Sequence, residues 1–158
     1  MFNEKTWRDG EKIAQEYMKK NGYKILDTNY SCMGVELDII AIYSVSRQIK
    51  ALKKDLKERL KYAWEKEAKE KLKATFEKMK SELVPLLVVT EVKSRNSDEF
   101  GTGAESVGYL KQKNIVVGAK FYQKNFKYEN YGLRFDVASV DFGGVEYIEN
   151  AFYERHFY

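Results

Sequence analysis

The most informative segment for the architecture is Leu86-Leu87-Val88-Val89-Thr90-Glu91-Val92-Lys93. It is apolar on both faces until its last residues, a pattern typical of a strand in the middle of a sheet. Side chains alternate between the two faces of a strand, so Glu91 and Lys93 follow buried residues on one side. A buried charge is costly unless it is paired or binds a metal ion. The end of this strand is therefore a candidate site.

A second apolar stretch, Val35 to Tyr43, precedes the first and predicts a neighbouring strand. The alternation places Asp38 on the same face as Ile40 and Ile42. If the two strands pair in antiparallel fashion, Asp38 comes close to Glu91. The sequence thus predicts two carboxylates side by side on one sheet.

The first helix adds a third carboxylate. Residues 4 to 21 are amphipathic, and Gly22 stands where a helix C-cap is common. The apolar stripe consists of Trp7, Ala14 and Met18. Glu11 lies within about 40° of that stripe at about 100° per residue, so it is directed inward unless it sits at the border of the stripe near solvent. Three inward carboxylates repel one another without a cation, and Mg²⁺ prefers such an all-oxygen shell. The other interpretation of Glu91 and Lys93 is a surface ion pair.

Residues 45 to 83 separate the two strands and contain no Gly, Pro or Asn. Apolar residues recur there every 3.8 residues on average, which is a helical period. One unbroken helix would span about 57 Å and leave no residues to bring the chain back. Two solutions remain, a helical hairpin with a break near Trp64 to Glu67, or a dimer in which the strands join different subunits. We favour the hairpin.

The positive charge of the chain lies in this arm. The 158 residues carry 28 Lys and Arg against 24 Asp and Glu, a net charge of +4. Residues 44 to 85 hold 13 of the basic and 7 of the acidic residues, so the arm has a charge of +6 and the remainder −2. The mixed signs favour a solvated or dimerising helix pair over a basic arm that touches the backbone of a nucleic acid.

Several classes of protein are excluded or disfavoured. No apolar run approaches the roughly 20 residues of a membrane helix, and the first ten residues lack the apolar core of a signal peptide. We therefore expect a cytoplasmic protein with no membrane partner. The chain has one cysteine, Cys32, and one histidine, His156, which exclude an internal disulfide and a metal site built from several histidines of the chain.

The remaining segments alternate between strand and helix. Further strands are predicted at Tyr23 to Tyr30, Tyr131 to Asp141 and Val145 to Ile148, and a second long helix at Ala104 to Phe126. A polar loop, Ser94 to Gly103, precedes that helix, and the tail from Asn150 is left unassigned. Without the arm the order is αβββαββ, which indicates an α/β layer with helices packed on a mixed central sheet.

Motifs along the chain resemble those of the UPF0102 (YraN-like) family. They are Gly10-Glu11 with Ala14 and Tyr17, Gly22-Tyr23-Lys24-Ile25-Leu26, Asn29, Gly34 to Ala41, Glu91-Val92-Lys93-Ser94-Arg95, Phe100-Gly101, Lys111, Arg134-Phe135-Asp136-Val137 and Ile148 to Phe152. The resemblance covers nearly all the chain except the arm and the last six residues. It implies similarity to PD-(D/E)xK nucleases, close to archaeal Holliday-junction resolvases. We accordingly expect a single restriction-endonuclease-like domain over residues 1–158, with residues 44–85 inserted between two core strands.

The resemblance also implies a site. Asp38 corresponds to the metal-binding aspartate, Glu91 to the second acidic ligand, Lys93 to the lysine of the motif and Glu11 to the helix-borne acid. Gln112 stands where related nucleases carry a supporting polar residue, and the carbonyl of Val92 is a further ligand for one or two Mg²⁺ or Mn²⁺ ions. Two departures concern Val35, where the family usually has a second glycine, and the arm, which replaces a short hairpin.

The function implied is a metal-dependent endonuclease that hydrolyses phosphodiester bonds in DNA, with branched or processed structures among the possible substrates. The alternative is a non-catalytic nucleic-acid-binding or scaffolding module on a nuclease fold. DNA is the expected partner in either case, and a homodimer through the arm is a further possibility.

Overall fold

Five strands form one sheet in chain order, and four helices accompany them, in the residues that the computed structural model describes. These are residues 4–94, 107–141 and 144–154, with the helical backbone alone for residues 4–9. In chain order the elements are α1 (Glu4–Lys20), β1 (Lys24–Cys32), β2 (Val35–Tyr43), α2 (Val45–Tyr62), α3 (Lys66–Ser81), β3 (Leu86–Ser94), α4 (Tyr109–Asn125), β4 (Gly132–Asp141) and β5 (Gly144–Phe152).

The sheet is mixed. Its strand order is β1-β2-β3-β4-β5, and neighbouring strands are antiparallel except β3 and β4, which are parallel. The parallel pair requires a crossover, which includes α4. β3 is the central strand and is buried from Leu87 to Val92. The structure confirms the predicted α/β class with a mixed central sheet.

Each face of the sheet carries one helix. On one face, Ile115 and Ala119 of α4 pack in a cluster with Leu87, Val89 and Phe135. On the other face, Ala14 and Met18 of α1 pack in a second cluster with Ile39, Val88 and Ala138. The two layers of apolar side chains supply the hydrophobic stabilisation of the sheet from both sides.

The segment between β2 and β3 folds as a helical hairpin. Residues 63–65 separate α2 from α3, close to the expected break. Ser44 caps α2 by accepting a hydrogen bond from the backbone N–H of Arg47 at 3.4 Å. Gln48 Nε2 donates to the carbonyls of Tyr43 at 3.4 Å and Val84 at 2.7 Å, which ties both ends of the hairpin together. Neither helix has a buried residue.

The observed boundaries correct three expectations. α4 begins at Tyr109 and not at Ala104, because Gly108 is extended (φ −61°, ψ 156°) and Val107 precedes it outside the helix. β5 runs on to Phe152, beyond the predicted end at Ile148. Asn150 in this strand has a φ of 54°, which interrupts the alternation from which strands are predicted. β1 likewise continues past Tyr30 to Cys32.

Some predicted features lie outside the described residues. They are the side chain of Trp7, most of the loop before α4, with Arg95, Phe100 and Gly101, and His156 in the tail. None of the helices in the described ranges combines the length and the hydropathy needed to cross a membrane.

Candidate functional site

Asp38 and Glu91 are neighbours across β2 and β3. The antiparallel register pairs Ile39 with Thr90, so the next position outward sets Asp38 opposite Glu91. Asp38 Oδ2 accepts a hydrogen bond from the backbone N–H of Val92 at 2.7 Å. The backbone of the strand that carries Glu91 therefore holds the aspartate on β2, and the two strands pair in antiparallel fashion as expected.

Two lysines compensate Glu91, which is only 4% exposed. Glu91 Oε1 lies 3.1 Å from Lys93 Nζ and 3.3 Å from Lys111 Nζ. A carboxylate buried to this degree needs such partners, because the loss of hydration disfavours its charge. Lys93 was expected in the site. Lys111 was not, although its place in the first turn of the helix that follows β3 was a usable signal.

Glu11 reaches the site through Asn29. Glu11 Oε2 accepts a hydrogen bond from Asn29 Nδ2 at 3.0 Å. The β1–β2 register pairs Thr28 with Ile39 and Tyr30 with Leu37, so Asn29 lies opposite Asp38. The strand pattern did not mark Asn29 as a site residue. A single Asn between Thr and Tyr was the available signal, since Asn tolerates left-handed backbone and its φ here is 52°.

The alternation of β2 is interrupted at Asp38. Leu37 and Ile40 both pack in the cluster with α4, whereas Ile39 packs in the cluster with α1. Regular alternation would have placed Leu37 with Ile39. The irregularity coincides with the left-handed residue Asn29 on the neighbouring strand, and a local break of this kind re-aims side chains near functional sites.

Asp38 ionises with difficulty. Burial and the neighbouring Glu91 carboxylate raise the pKa of Asp38 to about 7, and Glu11 contributes in the same direction. The N–H of Val92 and the ammonium of Lys111 oppose the rise. Carboxyl groups with strongly raised pKa values in clusters of charge are frequent at functional sites.

The donor set suits a hard divalent cation. Asp38 Oδ1 and Glu91 Oε2 make no hydrogen bond or ion pair with other described residues. In the same parts of the chain no group of three His, Cys, Asp or Glu side chains is arranged to hold a metal, and Glu11 stays a predicted ligand. Mg²⁺ commonly uses one or two carboxylates and keeps several waters, which two carboxylates and a backbone carbonyl satisfy.

Gln112 supports the helix and not the carboxylates. Its Nε2 donates to the carbonyl of Val107 at 2.7 Å, and its backbone N–H donates to the carbonyl of Gly108 at 3.0 Å. These bonds fix the start of α4 and thereby the position of Lys111. Gln112 is thus next to the site without touching Asp38 or Glu91.

A second buried charged group lies on the α1 face of the sheet. Asp136 is fully buried and accepts hydrogen bonds from Arg134 Nη2 at 2.6 Å, from the Tyr147 hydroxyl at 2.8 Å and from the Asn150 N–H at 2.8 Å. Arg134 also lies over the Tyr23 ring, 5.6 Å from its centroid. Burial is the largest cause raising the pKa of the Tyr147 hydroxyl, which keeps it a hydrogen-bond donor to Asp136. Because every charge in this group is paired, its role is structural.

The family model of the uncharacterised protein family UPF0102 matches residues 10–140, which include both carboxylates and both lysines. The chain belongs to the UPF0102 family. A UPF0102 protein of Clostridium acetobutylicum is 34% identical over 157 residues, covering 96% of each chain. A UPF0102 protein of Clostridium perfringens strain ATCC 13124 is 31% identical over 156 residues, covering 99% of this chain and 92% of the relative. One of Thermodesulfovibrio yellowstonii is 32% identical over 146 residues, covering 92% and 94%.

Proposed function

We propose that this UPF0102 protein is a metal-dependent nuclease of the restriction-endonuclease-like class that hydrolyses phosphodiester bonds in DNA. The observation that carries the proposal is that Asp38 accepts a hydrogen bond at 2.7 Å from the N–H of Val92, the residue next to Glu91, and that Lys93 lies 3.1 Å from Glu91. A carboxylate pair followed by a lysine on the same strand is the arrangement that the PD-(D/E)xK motif describes. The mixed sheet between α1 and α4 supports the finer fold assignment.

Asp38, Glu91 and the carbonyl of Val92 would hold Mg²⁺ or Mn²⁺. A metal ion bound there lowers the pKa of a bound water and neutralises charge on the scissile phosphate. The N–H of Val92 fixes one oxygen of Asp38 and leaves the other available. On the side of β1, Asn29 holds the Glu11 carboxylate by a hydrogen bond of 3.0 Å.

The two lysines have separate roles in this proposal. Lys93 lies on β3 beside Glu91 and stabilises the negative charge that develops at the phosphate, because a fixed ammonium acts strongly in a partly buried site. Lys111 comes from α4, lies 3.3 Å from Glu91 and lowers the pKa of Asp38. Both ammonium groups lie within 3.3 Å of Glu91, where they would also face the phosphate of a bound substrate.

A second candidate function is a non-catalytic nucleic-acid-binding module. The observation in its favour is that Lys93 and Lys111 already compensate the charge of Glu91 without a metal. The two functions differ in one respect that can be measured, since only the nuclease depends on Glu91 for cleavage.

The test is cleavage of single-stranded, duplex, flapped and four-way-junction DNA with Mg²⁺ or Mn²⁺. Wild type is compared with Glu91→Gln, which keeps the shape of the side chain, and with Glu129→Gln, which removes an exposed carboxylate outside the site. Cleavage that Glu91→Gln loses and Glu129→Gln retains supports the nuclease. Binding without metal-dependent cleavage by wild type supports the non-catalytic module.

A further inference from the structure

Five of the seven basic residues of α2 lie on one side of the helix. Arg47, Lys50, Lys54, Lys57 and Lys61 recur at intervals of three and four residues. This spacing gathers them within about 80° of the helix circumference over about 21 Å, with a cation roughly every 5 Å. We call these five residues the lysine stripe. The apolar residues Leu52, Leu56 and Leu60 lie on the opposite side of the helix and are partly buried.

Most of the lysine stripe is free of acidic partners. Four of the seven acids of the hairpin form ion pairs within three or four residues, namely Asp55 with Arg59, Glu58 with Lys61, Glu67 with Lys71 and Glu77 with Lys80. Within the described chain, Lys61 is therefore the one member of the stripe with a carboxylate in ion-pair distance. Lys50, Lys54 and Lys57 are exposed and remain available to an anionic partner, whereas the guanidinium of Arg47 lies against Gly22.

The tip of the hairpin exposes two aromatic rings. Trp64 is 94% exposed and Tyr62 is 77% exposed, on either side of Ala63. Large exposed rings of this kind are unfavourable in water unless a partner covers them. A tryptophan at the end of a cationic surface is suited to stack on an unpaired base, since every base has a π-face.

The opposite face of the hairpin does not favour a second copy of the chain. Its apolar groove between Leu56 and Phe76 has a volume of about 40 Å³ and is bordered by the Asp55–Arg59 ion pair. Two arms that each carry 13 basic against 7 acidic residues repel each other. A polyanion compensates the positive charge of the arm, whereas a second arm with the same positive charge does not.

We propose that residues 44–85 form a nucleic-acid-binding arm, in which the lysine stripe follows a phosphate backbone and Trp64 stacks on an unpaired base. The inference rests on the proposed function, because a nuclease site makes nucleic acid the polyanion to expect. The arm leaves β2 at Tyr43, which is roughly 17 Å from Asp38 at ~3.3 Å per strand residue. It therefore contacts the substrate away from the bond that is cut and adds affinity without entering the chemistry.

The test measures binding in metal-free buffer with EDTA, so that cleavage plays no part. The probe is a labelled DNA duplex of about 20 base pairs, which at ~3.4 Å per pair is longer than the arm and β2 together. The variant Lys50→Gln/Lys54→Gln/Lys57→Gln is compared with Lys19→Gln/Lys20→Gln/Lys124→Gln, which removes the same charge from exposed positions of the body. An RNA duplex of equal length distinguishes the two kinds of backbone.

We expect the slope of log K against log salt to fall by about 2 to 3 for the stripe variant and to stay unchanged for the control, because each lost phosphate contact removes about 0.9. Trp64→Ala should weaken binding to a duplex with a single-stranded overhang by about 5-fold or more, and binding to the blunt duplex far less. Equal slopes for the two triple variants, or tighter binding of the arm to phosphatidylserine vesicles than to DNA, overturn the inference.

The outcomes separate this inference from the proposed function. If the stripe variant still cleaves DNA and its salt slope is unchanged, the proposed nuclease function stands and the arm has no part in substrate binding. If wild type binds duplex through the stripe but never cleaves it, the inference about the arm stands and the proposed nuclease function is contradicted. A molecular mass that halves in the stripe variant, measured by sedimentation, identifies the arm as a dimer contact and contradicts the inference.

Discussion

Asp38 Oδ2 lies 2.7 Å from the backbone nitrogen of Val92, so the residue next to Glu91 positions the carboxylate opposite Glu91. The bond satisfies one oxygen of Asp38 and favours the ionised form. Burial and Glu91 act in the other direction and prevail, since the pKa of Asp38 is raised to about 7. The site therefore holds the Asp38 carboxyl group in a fixed position in which its ionised form is disfavoured.

The stability of the metal-free protein should depend on this charge. The pKa of Asp38 is higher in the folded chain than its ordinary value of 3.8, so the contribution of Asp38 to stability is present in acid and is lost as the pH rises through about 7. Above that pH, Asp38→Asn should raise the free energy of unfolding by an amount on the order of 2–4 kcal/mol. Urea denaturation at acidic and alkaline pH measures the difference, which should shrink toward acid. Equal stability of variant and wild type at both pH values would contradict the prediction.

Removal of Lys111 should shift the pH dependence of cleavage. The ammonium lowers the pKa of Asp38, so Lys111→Gln should raise that pKa and move the pH–rate profile toward alkaline pH, by about one unit or less. Lys93→Gln should instead lower kcat by about 100-fold or more at every pH. Lys113→Gln, which changes an exposed lysine of the same helix, is the control. A profile that Lys111→Gln leaves in place means that Lys111 has no influence on the acidic pair.

Substitutions at Asn29 should separate backbone strain from the bond to Glu11. Asn29→Gly and Asn29→Val both remove the hydrogen bond to Glu11, but only glycine accepts a φ of 52° without strain. We expect the valine variant to be less stable than the glycine variant by about 1–2 kcal/mol. The urea midpoints of the two variants give this difference. Equal midpoints would show that β1 relaxes at this position.

The buried pair on the α1 face should be sensitive to the loss of one partner. Arg134→Met leaves Asp136 buried without its cation and should cost about 3–5 kcal/mol of stability. The double variant Arg134→Met/Asp136→Leu should recover part of the loss, because no unpaired charge remains. Arg59→Met breaks an exposed pair and should change stability by less than about 1 kcal/mol. Thermal denaturation of all three variants distinguishes these outcomes.

Local patterns sufficed for part of the fold and the site. The apolar runs of β2 and β3 revealed two adjacent core strands, and alternation placed Glu91 and Lys93 on one face. Strand pairing then brought Asp38 opposite Glu91. These features depend on neighbours in sequence or on one antiparallel register, and both can be derived from residue type and spacing.

The rest depends on packing between distant segments. Lys111 enters the site because α4 docks on the sheet there, which the period of a helix does not specify. The role of Asn29 depends on the irregular backbone at Asp38, where Leu37 turns to the face of Ile40. The end of β5 was missed for a similar reason, since the positive φ of Asn150 breaks a regular pattern.

The hairpin of α2 and α3 occupies the place of a turn. The chain leaves the sheet at Tyr43 and returns at Leu86, two residues that are direct partners in the β2–β3 register. Any segment whose ends meet at that spacing can connect the strands without altering their pairing, and the entropy cost of a longer connection grows slowly. The carboxylates lie at the other end of the same strands. The length of the arm can thus change by replacement of the connection between the strands. The chemistry of the site can change separately, by substitution of a few side chains.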